Sequence, residues 1–544
     1  MILTNEITSR MTASRDTDTA KRLDPLALDG RMIGMSELLD RLAARMPDGL
    51  AAIDERGSIT YAGLRDRCEG LARAFVGQGI SKGARVGLLC GNGIDWLAIA
   101  FATARAGATL VPFSTWSTRA ELEFLFADAD CRALFVTSDF GGRDFTQEVA
   151  AVARSDKPRL VAVDGKTRPG FTSFDAFAKG ATGTPTAAGP DDDAMILYTS
   201  GSTSRPKGVR LKQAALVENG RHIGDRMGLV PGDRVFLPAP LFWAYGGCNA
   251  LPAAMSHGAT LVLPSRFEAG QALDLIEAHA CSAIYTLPSI TSALLRHAAF
   301  RPDRTKTLRT GLTIGSPEDV RSAVEDLNVP EICNVYGATE TYGNCAVTWH
   351  HWPLSRRAVC QGPLLPGQTV RFRDLETGEL CPLGVPGVAE VNGRISPGYF
   401  GQSEAENAKA LTADGYYRTG DVGYLDGEGS FVFVGRDSEM IKRAGINVSP
   451  AEVEDVLRQA TGVFAAGVTG VPDSDRGELI VAYVVGRGIR RDAIYAHCRA
   501  VLSKYKLPDR IEILDSLPLT NTGKLQRNVV KQMAIELLGA GATS

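Results

Sequence analysis

Residues 198–209 read YTSGSTSRPKGV and crowd hydroxyls, two glycines, a proline and two cations directly behind the apolar run of residues 194–197. Such a stretch offers almost nothing to bury, so it is not a packing element. Its small residues let backbone N–H groups approach a ligand, Thr199, Ser200, Ser202 and Thr203 bring hydroxyls, and Arg205 and Lys207 bring positive charge. That combination suits a phosphate. Two familiar loops are excluded by spacing. A serine-hydrolase elbow needs G-x-S-x-G, and Gly201-Ser202-Thr203-Ser204-Arg205 lacks the second glycine. A Walker loop needs G-x-x-x-x-G-K and then Ser or Thr, whereas here Lys207 precedes Gly208 and Val209 follows. On these residues alone a flexible linker stays open.

The elements that would hold such a loop alternate along the chain. Residues 36–45 and 61–78 have helical apolar spacing, with Ser36 and Thr60 as caps. Residues 85–90, 109–112, 133–137 and 159–163 read as strands, and 94–106 and 119–127 as helices. After a Gly/Pro/Thr/Ala connector at 180–190 the theme resumes, with strands at 235–237, 260–263, 283–287 and 312–314 and a helix at 272–279. This predicts an α/β layered core with parallel-rich sheets. Past residue 370 the pattern changes to hairpins about Glu376-Thr377-Gly378 and about Asp426-Gly427-Glu428-Gly429, a small β-barrel-like subdomain. A helix at 451–459, strands at 465–471 and 479–485 and a helix at 491–502 then make a small α+β domain. The expected organisation is a tail over residues 1–30, a large domain over 31–436 and a small mobile domain over 437–544, hinged at Asp437-Ser438.

A chain of 544 residues exceeds what one core supports. Lys+Arg 59 against Asp+Glu 62, a net charge of -3, argues against a general polyanion binder and hence against nucleic acid as a partner. Any anion must be held locally. The ten cysteines include no C-x-x-C pair and read as reduced residues of a cytoplasmic protein. His350-His351 has no second ligand at a zinc spacing, and no apolar run reaches transmembrane length.

The opening loop matches the pattern [ST]-G-[ST]-T-[GS]-x-P-K-G, and it is followed in order by NVYGATE (334–340), YRTGDVGYLD (417–426), VGRDSEMIKRAGINVSPAEVE (434–454) and LPLTNTGKLQR (517–527). In these motifs the chain resembles the adenylate-forming superfamily, the acyl-CoA synthetases and their relatives among luciferases and peptide-synthetase adenylation domains. The resemblance implies a two-step reaction with ATP, Mg2+ and CoA: a carboxylic acid becomes an acyl-adenylate with loss of pyrophosphate, and a thiol then displaces AMP. It implies that Thr199, Ser200, Gly201, Ser202, Thr203 and Lys207 hold the β- and γ-phosphates. Thr339 touches the α-phosphate, Glu340 binds Mg2+, Tyr336 stacks on adenine, and Gly315, Ser316 and Pro317 wall the nucleotide. Asp421 accepts from the ribose hydroxyls with Arg436 beside it, and Lys524 serves the first half-reaction. Lys442, Gly445 and Asn447 face the thiol donor after rotation about Asp437 and Ser438.

The same resemblance places the acyl pocket at residues 240–249, PLFWAYGGCN. Amino-acid-activating relatives carry an aspartate where Trp243 stands, so an α-amino acid is not expected. Phe242, Trp243, Ala244, Tyr245, Gly246 and Gly247, with Thr286, Ser289, Ile314, Gly337, Ala338 and Gly343, read as an apolar pocket. An aryl or arylalkyl acid is the first choice and a fatty acid the second. CoA is the expected acceptor; a separate carrier protein, a non-catalytic nucleotide-binding relative and an ADP-forming phosphotransferase are the alternatives.

Overall fold

The computed structural model describes residues 31–152, 159–164, 168–180, 182–199, 206–402, 404–443, 446–473, 476–520 and 524–541. The expected tail lies outside the described residues. Two large sheets carry the first part of the chain. In one, Asp193–Thr199, Thr109–Pro112, Arg85–Leu89, Ala133–Val136, Arg159–Ala162 and Phe171–Ser173 run parallel in that order, with Lys207–Lys212 antiparallel at the edge beside Asp193–Thr199. In the other, Glu331–Tyr336, Thr310–Thr313, Ala283–Tyr285, Arg234–Phe236, Thr260–Val262 and Leu50–Asp54 run parallel between antiparallel edges Ala346–Val347 and Gly57–Thr60.

The helix Ile94–Arg105 lies between these sheets, touching Arg85–Leu89 and Thr109–Pro112 of the first and Leu50–Asp54 of the second. Its sequence IDWLAIAFATAR is apolar on nearly every side because nearly every side is covered. Thr60 caps the helix Tyr61–Gly77 by accepting from the Gly63 N–H at 3.0 Å. Ser36 does not cap its helix: the helix opens at Met35, Ser36 is buried inside the first turn, and the Met35 N–H donates to Gln213 Oε1 at 3.0 Å. A distant side chain does the work expected of a local one.

A third sheet is antiparallel throughout, in the order Gly362–Pro363, Ser430–Arg436, Tyr417–Leu425, Gly387–Asn392 and Thr369–Arg373. The Asp426–Gly429 segment turns as the sequence predicts, with Asp426 Oδ1 accepting from the N–H groups of Glu428 and Ser430 at 2.9 and 2.8 Å. The Glu376-Thr377-Gly378 turn closes a single bridge, Arg373 to Leu380, while the strand Thr369–Arg373 pairs with the later Gly387–Asn392. Beyond a short turn at Asp437–Glu439 comes the hairpin Ile441–Arg443 and Ile446–Val448. The small domain then pairs Val463–Asp473 with Gly477–Gly486 antiparallel and the latter with Arg510–Ile513 parallel, under the helices Pro450–Arg458 and Arg491–Val501.

The buried Arg443 ties that hairpin down through a two-pronged pair with Asp509, one contact at 2.8 Å. Asp509 also accepts from Arg476 at 2.9 Å and from the Ile480 N–H at 2.8 Å. Replacing Asp509 by Ala leaves Arg443 buried without its counter-ion, a cost of about 3 kcal/mol. The expected outcome is a lower urea midpoint for the small domain, with the large domain's transition unchanged, measured by tryptic susceptibility of each part across a urea series.

Candidate active site

The strands Asp193–Thr199 and Lys207–Lys212 form a hairpin whose last register pair is Thr199 with Lys207. Both residues therefore stand at the mouth of the phosphate-type loop, whose Ser200, Gly201, Ser202 and Thr203 lie outside the described residues. The Lys207 ammonium sits 5.2 Å above the ring of Tyr399. Tyr399 in turn donates its hydroxyl to Glu340 Oε1 at 2.9 Å. A cation and a carboxylate from distant motifs are thus bracketed by one tyrosine, which the sequence reading passed over. Its signal was an aromatic residue in a Gly-rich loop, Gly398-Tyr399-Phe400-Gly401, which is also tied to the hairpin by the Phe400 N–H to Gly208 O at 2.7 Å.

Glu340 and Thr339 lie in a short turn, Thr339–Thr341, just past the carboxyl end of the strand Glu331–Tyr336. Ligand sites of parallel sheets gather at such ends. The chain doubles back sharply there. Gly337 lies so close to Asn344 that a β-carbon would meet its Cα at 2.4 Å. Tyr342 takes a left-handed conformation with φ 59 and its hydroxyl accepts from the Lys212 N–H at 3.0 Å. Gly343, with φ +94, follows it.

Asp421 is 3% exposed. The Tyr336 hydroxyl donates to its Oδ2 at 2.6 Å, and Arg436 Nε stands 2.7 Å from its Oδ1. Asp421 and Arg436 are register partners across adjacent strands, so the pairing is built into the sheet. The Arg436 approach is not aligned as a hydrogen bond, and Oδ1 is left buried without a donor. Burial pushes the Asp421 carboxyl above the usual carboxylate range, while Arg436 and Tyr336 pull it back down. The ring of Tyr336 stacks on Phe431 at 4.1 Å and 10°.

Ser316 and Pro317 open the helix Pro317–Glu325. The Ser316 hydroxyl donates to Asp319 Oδ2 at 2.8 Å and accepts from the Asp319 N–H at 3.3 Å. Its side chain is consumed in capping, so any wall that this segment offers a ligand is made by its backbone. Gly315 is tight against Asp319 as well, a β-carbon there falling 2.6 Å from the Asp319 Cβ. Ile314, just before, is 42% exposed.

Around Trp243 an aromatic cluster assembles. Trp116 meets Phe242 edge-on at 5.2 Å and Trp243 at 6.4 Å, and Tyr245 lies 6.4 Å from Trp243 and 5.2 Å from Tyr285. Tyr245 donates to Thr286 O at 3.0 Å. Trp116 comes from a loop far earlier in the chain and was not foreseen. Ala244, Tyr245, Gly246 and Gly247 start a π-helical turn, Ala244–Ala250. A β-carbon on Gly246 would fall 2.2 Å from Pro240 O, and one on Gly247 2.4 Å from Leu241 O. These two glycines let backbones touch.

Lys524 enters this cluster from the small domain, its ammonium 5.5 Å over the Trp243 ring. It keeps exposed surface while its ammonium faces the aromatic cluster of the large domain. Burial and the nearby Arg436 lower its pKa below that of an ordinary lysine, and Asp421 opposes them. Three residues on, Arg527 pairs with Glu439 at 2.6 Å and Glu454 at 2.8 Å, pinning the lysine's loop to the segment after Asp437 and Ser438. Lys442 pairs with Asn447 across the hairpin, whereas Gly445 lies outside the described residues. Gln459 of the small domain donates to Glu318 of the large one at 3.1 Å.

A layered α/β body, the carboxylates of Glu340 and Asp421 beside it and a lysine delivered by a second domain define an adenylate-forming enzyme. The description AMP-binding enzyme fits residues 39–400, and AMP-binding enzyme C-terminal domain fits residues 452–524. The medium-chain acyl-CoA ligase ACSF2 of Mus musculus mitochondria is 30% identical over 533 residues, 91% of this chain and 86% of that protein. The ATP-bound crystal structure of MatB from Rhodopseudomonas palustris superposes with a TM-score of 0.80 at 26% identity, over 92% of this chain and 98% of that one. The o-succinylbenzoate CoA synthetase of Bacillus subtilis, in complex with its acyl-adenylate intermediate, gives 0.76 at 25% identity, over 91% and 97%. The chain belongs to the AMP-binding enzyme family, in its acyl-CoA synthetase branch.

Tyr336→Phe removes the hydroxyl that steadies the Asp421 anion, so the carboxyl rises further and is protonated earlier as pH falls. AMP affinity, followed by calorimetry from pH 8 to pH 5, is expected to drop about tenfold at neutral pH and to fail at a higher pH than in the parent.

Proposed function

We propose that this chain is an ATP-dependent acid–thiol ligase that activates an apolar carboxylic acid as acyl-AMP with release of pyrophosphate and passes the acyl group to CoA. The observation that carries this reading is the meeting of Lys524 with Trp243, Arg436 and Asp421 in one cleft. Joining a carboxylate to a phosphate brings two anions together, so concentrated positive charge and fixed placement supply most of the catalysis.

In the first half-reaction a carboxylate oxygen forms a bond to the α-phosphorus and the bond to pyrophosphate breaks. Lys207, Thr199 and the loop residues Ser200, Gly201, Ser202 and Thr203 hold the departing end, and Thr339 the α-phosphate. Lys524 balances charge on the incoming carboxylate. Asp421, with a buried oxygen lacking a donor, fits a ribose hydroxyl that supplies one. Tyr336, already oriented by Phe431, extends its stack to adenine. Glu340, whose Oε1 accepts from the Tyr399 hydroxyl, would hold Mg2+ through a carboxylate oxygen, and the cation would balance charge on the triphosphate.

In the second half-reaction the CoA thiolate attacks the acyl carbon and AMP leaves with its phosphate oxygen. Lys442, Gly445 and Asn447 are assigned to that step, after a rotation at Asp437-Ser438. The named relatives span a medium-chain and an aryl-bearing acid. The aromatic edges of Trp116, Phe242, Trp243 and Tyr245 favour an aryl or arylalkyl acid over an aliphatic one. Among the described residues no helix is long and apolar enough to cross a membrane. The cytoplasm is proposed as the compartment on the ten free cysteines.

Lys524→Ala is expected to cut adenylate formation by about a thousandfold or more while presynthesised acyl-AMP is still converted to the CoA thioester; equal loss of both would overturn the division of labour. Pyrophosphate release over a panel of aryl, arylalkyl and fatty acids, with and without CoA, is expected to be fastest with an aryl or arylalkyl acid. A fatty acid leading the panel would reassign the pocket.

A further inference from the structure

We propose that Trp243 is a positioning residue for Lys524, its ring face holding the lysine ammonium at the reaction centre when the two domains are closed. The inference rests on the ligase reading above but concerns a contact that can be measured without any substrate. The ammonium lies 5.5 Å from the ring centre, inside the range at which a cation is attracted to an indole face.

Other partners do not account for its place. Arg436 repels it, and the Asp421 charge that attracts it is already shared with Arg436 at 2.7 Å. Among the described residues no carboxylate stands within ion-pair distance of the Lys524 ammonium. The ring itself is well braced. Trp243 O accepts from the N–H groups of Gly246 and Gly247 at 3.0 and 2.8 Å, and the Trp243 N–H donates to Pro240 O at 3.1 Å. Trp116 and Tyr245 flank the indole edge-on. Lys524 is held on both sides: its N–H donates to Thr520 Oγ1 at 3.1 Å, and Arg527, three residues on, pairs with Glu454.

The chemistry explains why an aromatic face suits this position better than an acid. An aspartate here would hold the lysine more strongly but would also neutralise the charge that the reacting carboxylate and α-phosphate need. A neutral ring orients the ammonium and leaves its full charge available. When an anionic substrate takes over the lysine, the ring is left with no uncompensated charge.

The test is competitive trace labelling of amines with acetic anhydride on the full chain, without substrates, read by peptide mass spectrometry. Lys506, paired with Glu452 at 2.6 Å within the small domain, serves as the internal standard. Trp243→Leu, which stays apolar but loses the ring, is expected to raise Lys524 labelling about threefold with Lys506 unchanged, and Trp243→Phe to restore most of the protection. The adenylation kcat should follow the same order. Unchanged Lys524 labelling in Trp243→Leu would overturn the proposal, as would a change confined to KM, which would make Trp243 a pocket wall only. If the parent protein forms adenylate from no acid, the ligase reading fails, yet the labelling still decides whether the contact exists.

Discussion

One buried carboxylate organises this molecule's working parts. Asp421 is nearly removed from water, so it must be compensated by fixed neighbours. Tyr336, the last residue of a strand in the second parallel sheet, donates to it, and Arg436, its cross-strand partner, stands against it. Arg436 is also the residue immediately before the turn Asp437–Glu439 that leads into the small domain. A single anion thus fixes the relation of parallel sheet, antiparallel sheet and domain junction. Loosening it disturbs all three together.

The positive charge of the site is distributed rather than clustered in sequence. Lys207 comes from the edge hairpin of the first sheet, Arg436 from the third sheet and Lys524 from the small domain. In a chain of net charge -3 this arrangement yields a local cationic field without a basic surface. The full field needs both domains, because Lys524 alone is delivered by the second.

Much of this was legible in the sequence. Helical and strand periodicities placed most elements within a few residues, and the apolar run before the phosphate-type loop emerged as the strand Asp193–Thr199, whereas its antiparallel partner Lys207–Lys212 was not foreseen. What was not legible depends on contacts between distant segments. Tyr399 and Trp116 are ordinary loop aromatics until folding sets one beside Glu340 and the other beside Trp243. Gly246 and Gly247 lie against the backbone at Pro240 and Leu241, an approach between segments that only the fold reveals. Ser36 looks like a cap, but Gln213 reaches the helix end first. Ser316-Pro317-Glu318-Asp319 has the spacing of a capping box, a local signal the sequence reading left unused.

The anchorage of Arg527 has a consequence for how this sequence can vary. Lys524 is referenced through Arg527 to Glu439 and Glu454, which lie at the start of the small domain, and to the strand Val463–Asp473 through Val468 O at 3.2 Å. A single residue inserted between Lys524 and Arg527 shifts the ammonium relative to all three anchors at once. The spacing of these two residues is thereby fixed by contacts to three separate segments of the chain.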